Sequence, residues 1–372
     1  LPSPVAVLVS DAHLQDRAWA HRQIEGDAYY SFGQVVDYAI NNHLDIIGAG
    51  DLIDRRVNSS GPIHAMLAGL QKLWNNSRRF YHIQGQHEAD PSPWFNLSHA
   101  SIHVHKQSFQ VGHIRVYGLD FTPADSLKAE LDAIPPGTDL LVCHQVWDEF
   151  MGVHCGAQAS FADVPVVSTV LTGDLHENRT LSARGKDGQR LTIHSLGSTC
   201  MQDIAEPPSK FFGVLRDDLS VRRVRLQTRP FIAAGLLLTE ADVEAFLGRT
   251  EAELSRLATA DTSLPPEIAR PLVRVGYSHK LGDLSRRVHK VFGERAHLFL
   301  KEVPPERPKT VLRPEGAEEA VRTGAMTLEA ALPSVLSEDD EPELYALALR
   351  VLGAPDKAAE VNAWVREALS DA

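Results

Sequence analysis

Five short polar clusters carry the side chains suited to chemistry: Asp11-x-His13, Gly50-Asp51-x-x-Asp54, Gly85-Gln86-His87-Glu88, the isolated His144, and Gly173-Asp174-x-His176. They offer carboxylate, amide and imidazole atoms and no thiolate. Mixed oxygen and nitrogen sets of this kind suit hard or borderline divalent cations such as manganese, iron or zinc. Two cations use the supply better than one, because a carboxylate can bridge a pair about 3.5–4 Å apart. Such a pair clamps the attacking and leaving oxygens of an in-line phosphoryl displacement and brings water close to a nucleophile at neutral pH. Taken singly each cluster is weak, since an Asp-x-His at a strand end is more often a turn or cap than a ligand pair. Their order and shared placement carry the weight. His21, His43, His64, His82, His99, His103, His105, His113 and His154 match no cluster and read as surface or core residues. Of these, His154 follows His144 closely enough for its loop to line the site.

Each cluster sits where a strand should end. Residues 4–10 are an apolar run that delivers Ser10-Asp11, and Leu44 to Gly50 forms a second run into Asp51. A third, Arg79 to Ile83, precedes Gly85. Helical spacing lies between them, at residues 27–43 and after Pro62. Alternating strands, polar loops and helices predict a layered α/β fold with its ligands at the carboxyl ends of the strands. Beyond residue 100 the pattern turns to strands: Ile102–His105, His113–Leu119, Asp139–Cys143, Val170–Gly173, Leu191–Leu196 and Phe211–Leu226. That number predicts a two-sheet sandwich flanked by helices rather than one open sheet. The pattern breaks at Thr228-Arg-Pro230. A smaller α+β segment then offers a helix at Glu240–Leu257, a strand at Leu272–Tyr277 and a helix at Leu284–Phe292. The domain reading is therefore 1–226 for the main body, 227–303 for the small domain, a Pro-rich linker at 304–325 and a helical tail at 326–372.

At 372 residues the chain is long enough for two or three domains, and its 43% hydrophobic content excludes a disordered or fibrous protein. The longest apolar stretches, such as Phe231–Leu238, are too short to span a bilayer, and no signal peptide is recognisable, so an intracellular, cytoplasmic protein with no membrane partner is expected. Cys143, Cys155 and Cys200 form no CxxC pair, which argues against a disulfide framework or a structural zinc site. The formal charge of −12 excludes a uniformly basic nucleic-acid binder. Partition softens that exclusion: residues 311–372 carry −8, leaving −4 for the rest. Between 281 and 310 the balance is +3, and Arg286, Arg287 and Lys290 share one helical neighbourhood that could meet phosphate.

The five clusters together resemble the calcineurin-like metallophosphoesterases, whose pattern runs DxH, GDxxD, GNH(D/E), H and GHxH. By that resemblance Asp11, His13, Asp51 and His176 hold one divalent metal, and Asp51, Gln86, His144 and Asp174 hold a second. Gln86 stands where the family has Asn, and Asp174 where it has His. The added carboxylate favours manganese over zinc. His87 matches the family's catalytic His, which contacts the scissile phosphate and helps protonate the leaving oxygen.

Further stretches are similar to the SbcD type, the relative of the meiotic-recombination-eleven nuclease of double-strand-break repair. They are Ser10 to Leu14, Asp45 to Asp54, Leu140 to Gln145, Leu196 to Thr199 with Lys210 to Phe212, Gln227 to Phe231, and Pro271 to Lys301. The resemblance implies a metal-dependent DNA exo/endonuclease with a DNA-capping small domain. It also implies a tail that binds an SbcC-like coiled-coil ATPase, and a homodimer formed through helices near Pro62–Asn76. Two other readings stand beside it: an enzyme for small phosphomonoesters or cyclic nucleotides, and a DNA-end-binding scaffold with a degraded second metal site.

Overall fold

The computed structural model describes residues 2–17, 24–55, 59–88, 94–151, 158–165, 167–259 and 263–303. The expected linker and helical tail after residue 303, together with His21, His154 and Cys155, lie outside those residues.

Strand β1 (Pro4–Val9) shows how the layers arise. Successive side chains of a strand point to opposite faces. Ala6 and Leu8 enter a core between two sheets, whereas Val7 and Val9 pack outward beneath helices. A strand buried on both faces reads as a continuous apolar run, which is why these strands were visible in the sequence. After β1 come α1 (Asp27–Asn41), β2 (Asp45–Ala49), α2 (Ser60–Asn75), β3 (Phe80–Ile83) and β4 (Ser101–His103). The chain continues through β5 (Ser108–Val111), β6 (Ile114–Leu119), α3 (Ala124–Asp132), β7 (Leu140–His144), one turn of α4 (Asp148–Met151) and β8 (Thr169–Gly173). Strands β9 (Arg179–Arg184), β10 (Arg190–Ser195), β11 (Phe211–Arg216) and β12 (Val221–Arg225) complete the body.

These strands form two six-stranded mixed sheets, ordered β12-β11-β1-β2-β3-β4 and β5-β6-β7-β8-β10-β9. The result is the expected two-sheet sandwich flanked by helices. Strands β1 to β4 run parallel, and so do β6, β7 and β8. Within each sheet the carboxyl ends therefore share an edge, and the ends of β1, β2, β3, β7 and β8, with the loops that follow them, carry the five clusters. Helices α1 and α2 cover one sheet through Phe32, Val35, Met66 and Leu70. On the other, Leu127 and Leu131 of α3 pack with Trp147 and Phe161.

Several expectations needed correction. The single run Phe211–Leu226 is a hairpin, β11 and β12, turning at Asp217–Ser220, where Asp218 accepts the Ser220 amide at 3.0 Å. In the main body strands β5 and β9 and helix α3 went unforeseen, and so did the two outer strands of the small layer, Phe231–Leu237 and His297–Val303. Strands β5 and β9 lie at sheet edges, and β9 half-buries only alternate residues, Arg179, Leu181 and Ala183, so its apolar periodicity is faint. Helix α2 begins two residues before Pro62, since the first turn of a helix tolerates proline.

The small layer comprises β13 (Phe231–Leu237), α5 (Glu240–Thr259), the short α6 (Pro266–Ala269), β14 (Leu272–Ser278), α7 (Leu284–Phe292) and β15 (His297–Val303). Its three parallel strands, in the order β13-β14-β15, pack Val273 and Val275 against Val243 and Phe246 of α5 and Val288 and Phe292 of α7. The basic cluster on α7 is partly spent inside this layer. Arg287 pairs with Glu240 and Glu244 at 2.7 and 3.0 Å, and Arg295 pairs with Glu251, while Arg286 and Lys290 stay exposed.

The layer joins the sandwich through a buried ion pair. Arg229 donates to both Asp27 oxygens at 3.0 and 2.7 Å and to the Arg270 carbonyl at 2.9 Å. Beside it, Ile24 and Leu272 are buried with Ile204, Phe231 and Phe299. Residues 1–303 make one compact unit. Among the described residues no helix is long and apolar enough to cross a membrane.

Candidate metal centre

The loops at the strand ends converge. Ligand atoms of Asp11, His13 and His176 lie within 4.8 Å of one another, as do those of Asp11, Asp51 and His144, and those of His13, Asp54 and His87. One atom stands at the middle: Asp51 Oδ2 is 3.2 Å from His144 Nε2 and 3.9 Å from both His13 Nε2 and His87 Nε2. Asp11, His13, Asp51 and His144 are buried, so this charge is largely withdrawn from water.

The backbone is strained to achieve it. Asp11, His13, Asp51 and Asp174 all have positive φ, at 47°, 40°, 49° and 78°. A left-handed conformation costs a non-glycine residue about 1–2 kcal/mol, and it persists only where the surroundings impose it. Gly50 supplies the space, with φ 86° and no Cβ; a Cβ there would stand 2.6 Å from His144 Nδ1. Glu88 fixes the next turn by accepting the Leu52 and Ile53 amides, both at 3.1 Å. Burial, aided by the charge of Asp51, pushes the Glu88 carboxyl up to about 8.

Hydrogen bonds set the direction of each imidazole. His144 Nδ1 lies 2.7 Å from the Ala49 carbonyl, which only accepts, so the proton is on Nδ1 and the Nε2 lone pair faces Asp51. His176 Nδ1 is likewise held by Glu206 Oε1 at 2.8 Å, and its Nε2 meets His13 Nε2 at 3.0 Å. Two imidazole nitrogens at that separation, and an imidazole lone pair against a carboxylate, call for a proton or a cation between them. Burial disfavours charge on His144, yet Asp51, Asp11 and Asp174 outweigh it and raise the ring to about 10. Burial also opposes ionisation of Asp51, but His144, His13 and His87 together hold its carboxyl below the usual range.

The orphaned atoms fit a divalent cation. Asp11 Oδ2 and Gln86 Oε1 are buried without a hydrogen-bond partner, and His144 Nε2 faces the Asp51 carboxylate at 3.2 Å; all three atoms can give a lone pair to a cation. A buried acceptor left alone is costly, whereas a hard or borderline cation takes this donor set.

The remaining cluster residues divide. Gln86 donates Nε2 to Asp174 Oδ1 at 2.7 Å, and the Asp174 amide donates to Asp11 Oδ1 at 2.9 Å. Asp174 therefore reaches the site, although it belongs to none of the three-residue groups above. His87 is the exposed member, its side chain 42% accessible. Its Nδ1 donates to the Asp54 carbonyl at 2.6 Å, which leaves Nε2 at the rim, 3.9 Å from Asp51 Oδ2. Asp54 also sets Oδ1 3.4 Å from His13 Nδ1. Glu206 was not foreseen: it lies in no cluster, and only its placement four residues before Lys210, with which it pairs at 2.6 Å, hints at a structural charge.

A two-sheet α/β sandwich with candidate divalent-metal groups at its strand ends is the architecture of a metallophosphoesterase. No family model matches the chain. Over 151 residues, 37% of its length, it is 28% identical to the DNA double-strand break repair protein Mre11 of Saccharolobus solfataricus, covering 40% of that protein. It is 26% identical to the protein of the same name from Sulfolobus acidocaldarius over 189 residues, 46% of the chain and 49% of the relative. A third, from Sulfurisphaera tokodaii, is 26% identical over 194 residues, 48% and 50% of the two chains. The chain thus spans half or less of the length of these curated relatives.

Proposed function

We propose that the chain is a metal-dependent DNA nuclease of the SbcD type, hydrolysing phosphodiester bonds in the processing of DNA double-strand breaks. The observation that carries this reading is the position of Asp51 Oδ2, shared by two sets of facing lone-pair donors. The similarity to the double-strand break repair proteins supports the substrate class. Asp11, His13, Asp51 and His176 would hold one cation, and Asp51, Gln86, His144 and Asp174 a second, with manganese favoured by the oxygen-rich set. When bound, such cations act as Lewis acids on the phosphoryl group and lower the pKa of water.

The chain's own contribution is orientation and proton handling. Asp51 and Asp11 present buried oxygens from strained loops whose backbone is already fixed, which avoids reorganisation on substrate binding. His87, anchored through Nδ1, would offer Nε2 to the leaving oxygen as a general acid. The small layer, with Arg286 and Lys290 exposed on α7, is the candidate DNA cap. Partnership with an SbcC-like ATPase through residues 326–372, and homodimerisation near Pro62–Asn76, belong to the same proposal.

Purified protein with manganese is expected to degrade linear DNA and to leave small phosphomonoesters and cyclic nucleotides largely untouched. His87→Ala should reduce hydrolysis at least about 100-fold, as expected for a lost general acid, while melting temperature and ion binding stay unchanged. A fully active His87→Ala protein would sink the mechanism, and turnover confined to small phosphates would sink the substrate.

A further inference from the structure

Behind His176 lies a second layer of polar contacts that reaches from the metal centre to the small domain. Glu206 Oε1 receives His176 Nδ1 at 2.8 Å. Its Oε2 accepts from the Gln202 amide at 3.0 Å, Ser198 Oγ at 2.9 Å and Lys210 Nζ at 2.6 Å. Lys210 donates as well to Ser198 Oγ at 2.8 Å. The Glu206 and Lys210 side chains are only 11% and 3% accessible. A carboxylate so fully engaged has one orientation available. Pro207 and Pro208 stiffen the chain directly after it.

The segment bearing Glu206 connects β10 to β11, and its outer side touches the small domain. The Ile204 carbonyl accepts from Arg274 Nη1 of β14. Ile204, Phe231 of β13 and Phe299 of β15 pack against the same buried pair, Ile24 and Leu272, and the Arg274 guanidinium lies 5.4 Å from the centre of the Phe231 ring. On the catalytic side Gln15, two residues after His13, donates to Gln202 Oε1 at 2.6 Å. One connection therefore contacts two metal-ligating loops on one side and the central strand of the small sheet on the other.

We propose that Glu206 is the positioning residue for His176, and that the small domain, through Arg274 on Ile204, holds the connection that presents Glu206 to the metal centre. The inference rests on the metal-centre reading above. A carboxylate on the far nitrogen of a ligating imidazole fixes its tautomer and ring plane and raises its basicity as a ligand, and losing such a partner weakens metal binding about 10–100-fold. Because Arg274 stands outside the centre, the same logic gives the small domain a hold on the affinity for the cation that His176 ligates. Among the described residues His144, on the other side of Asp51, is anchored instead by the Ala49 carbonyl of the sandwich itself.

The test is a calorimetric titration of the full chain with manganese, and with cobalt for its visible absorption, in wild type, Glu206→Gln, Arg274→Ala and Arg274→Lys. Wild type should bind two ions. Glu206→Gln should lose 10–100-fold at one site, alter the cobalt spectrum and leave the other site within about twofold. A loss below tenfold, or an equal loss at both sites, overturns the positioning role. Arg274→Ala should weaken the same site at least threefold, with Arg274→Lys recovering part of it. No loss, or one spread over both sites, overturns the small-domain link. Should Glu206→Gln fail to fold, Ser198→Ala, which removes one hydrogen bond to Glu206, answers the same question with a smaller loss at the same single site. A wild type that binds no divalent ion refutes the metal-centre reading itself, and so is distinguishable from failure of the positioning role in a protein that does bind.

Discussion

Gly173→Ala is the most direct probe of how closely the fold is built around the candidate metal centre. Gly173 ends β8 beside β7, and an added Cβ would stand 2.3 Å from the Ala49 carbonyl oxygen and 2.3 Å from His144 Nδ1. Ordinary contact needs about 1 Å more on both. One obstacle is buried strand backbone and the other is a buried ring, so neither can swing away. Overpacking of this kind costs about 1–3 kcal/mol. Separating His144 from Ala49 also forfeits their 2.7 Å hydrogen bond, worth roughly 0.5–1.5 kcal/mol net. The expected destabilisation is about 2–4 kcal/mol, which lowers Tm by roughly 4–16 °C at about 2–4 °C per kcal/mol. Because the displaced group is the anchor of His144, manganese affinity at the site containing His144 should fall with it, at least tenfold. Differential scanning calorimetry and manganese titration of the same preparation measure both effects. A variant with wild-type Tm and both manganese affinities intact would refute the reasoning.

Two further outcomes concern stability. His82 is buried with both ring nitrogens unpartnered, and burial pushes its pKa down to about 3 from the usual 6.5. The unfolded chain takes up a proton there that the folded chain refuses. This contribution is therefore present above pH 6.5 and lost as pH falls toward 3, at about 1.4 kcal/mol per pH unit. His82→Phe, which suits the neighbouring Phe80 and Phe95 rings, should remove about 3 kcal/mol of that acid sensitivity by pH 4; parallel wild-type and variant stability curves would contradict it. Arg229→Met leaves Asp27 buried without its bidentate partner, a loss of about 3–5 kcal/mol. Hydrogen exchange should then show β14 amides opening before those of β1, and equal protection in the two strands would count against Arg229 as the anchor of the small domain.

The buried strands were legible because both of their faces are apolar, so β1, β2, β7 and β8 stand out as continuous runs ending in polar clusters. The edge strand β9 was not, since few of its residues meet a core and its register is imposed by β10. In the candidate site, Asp11, His13, Asp51, His144 and His176 could be named from spacing and from family resemblance. Glu206 could not, because it lies 30 residues from the imidazole it touches and its neighbours follow no metal-ligand pattern. The pairing of Arg287 was hidden for a related cause: its carboxylate partners lie on α5, more than 40 residues away.

The sequence by itself determined the donor types, their order and their delivery at strand ends, because these follow from local apolar periodicity and from residue chemistry. Only the tertiary structure decided which imidazole nitrogen faces the cation site, that Asp51 Oδ2 stands between His13, His144 and His87, and that Glu206 backs His176. Those facts depend on loops distant in sequence meeting at one edge of two packed sheets. The same meeting reassigns the −12 charge of the chain: the carboxylates of Asp11, Asp51 and Asp174, which by count oppose a polyanion, are gathered where a divalent cation would neutralise them.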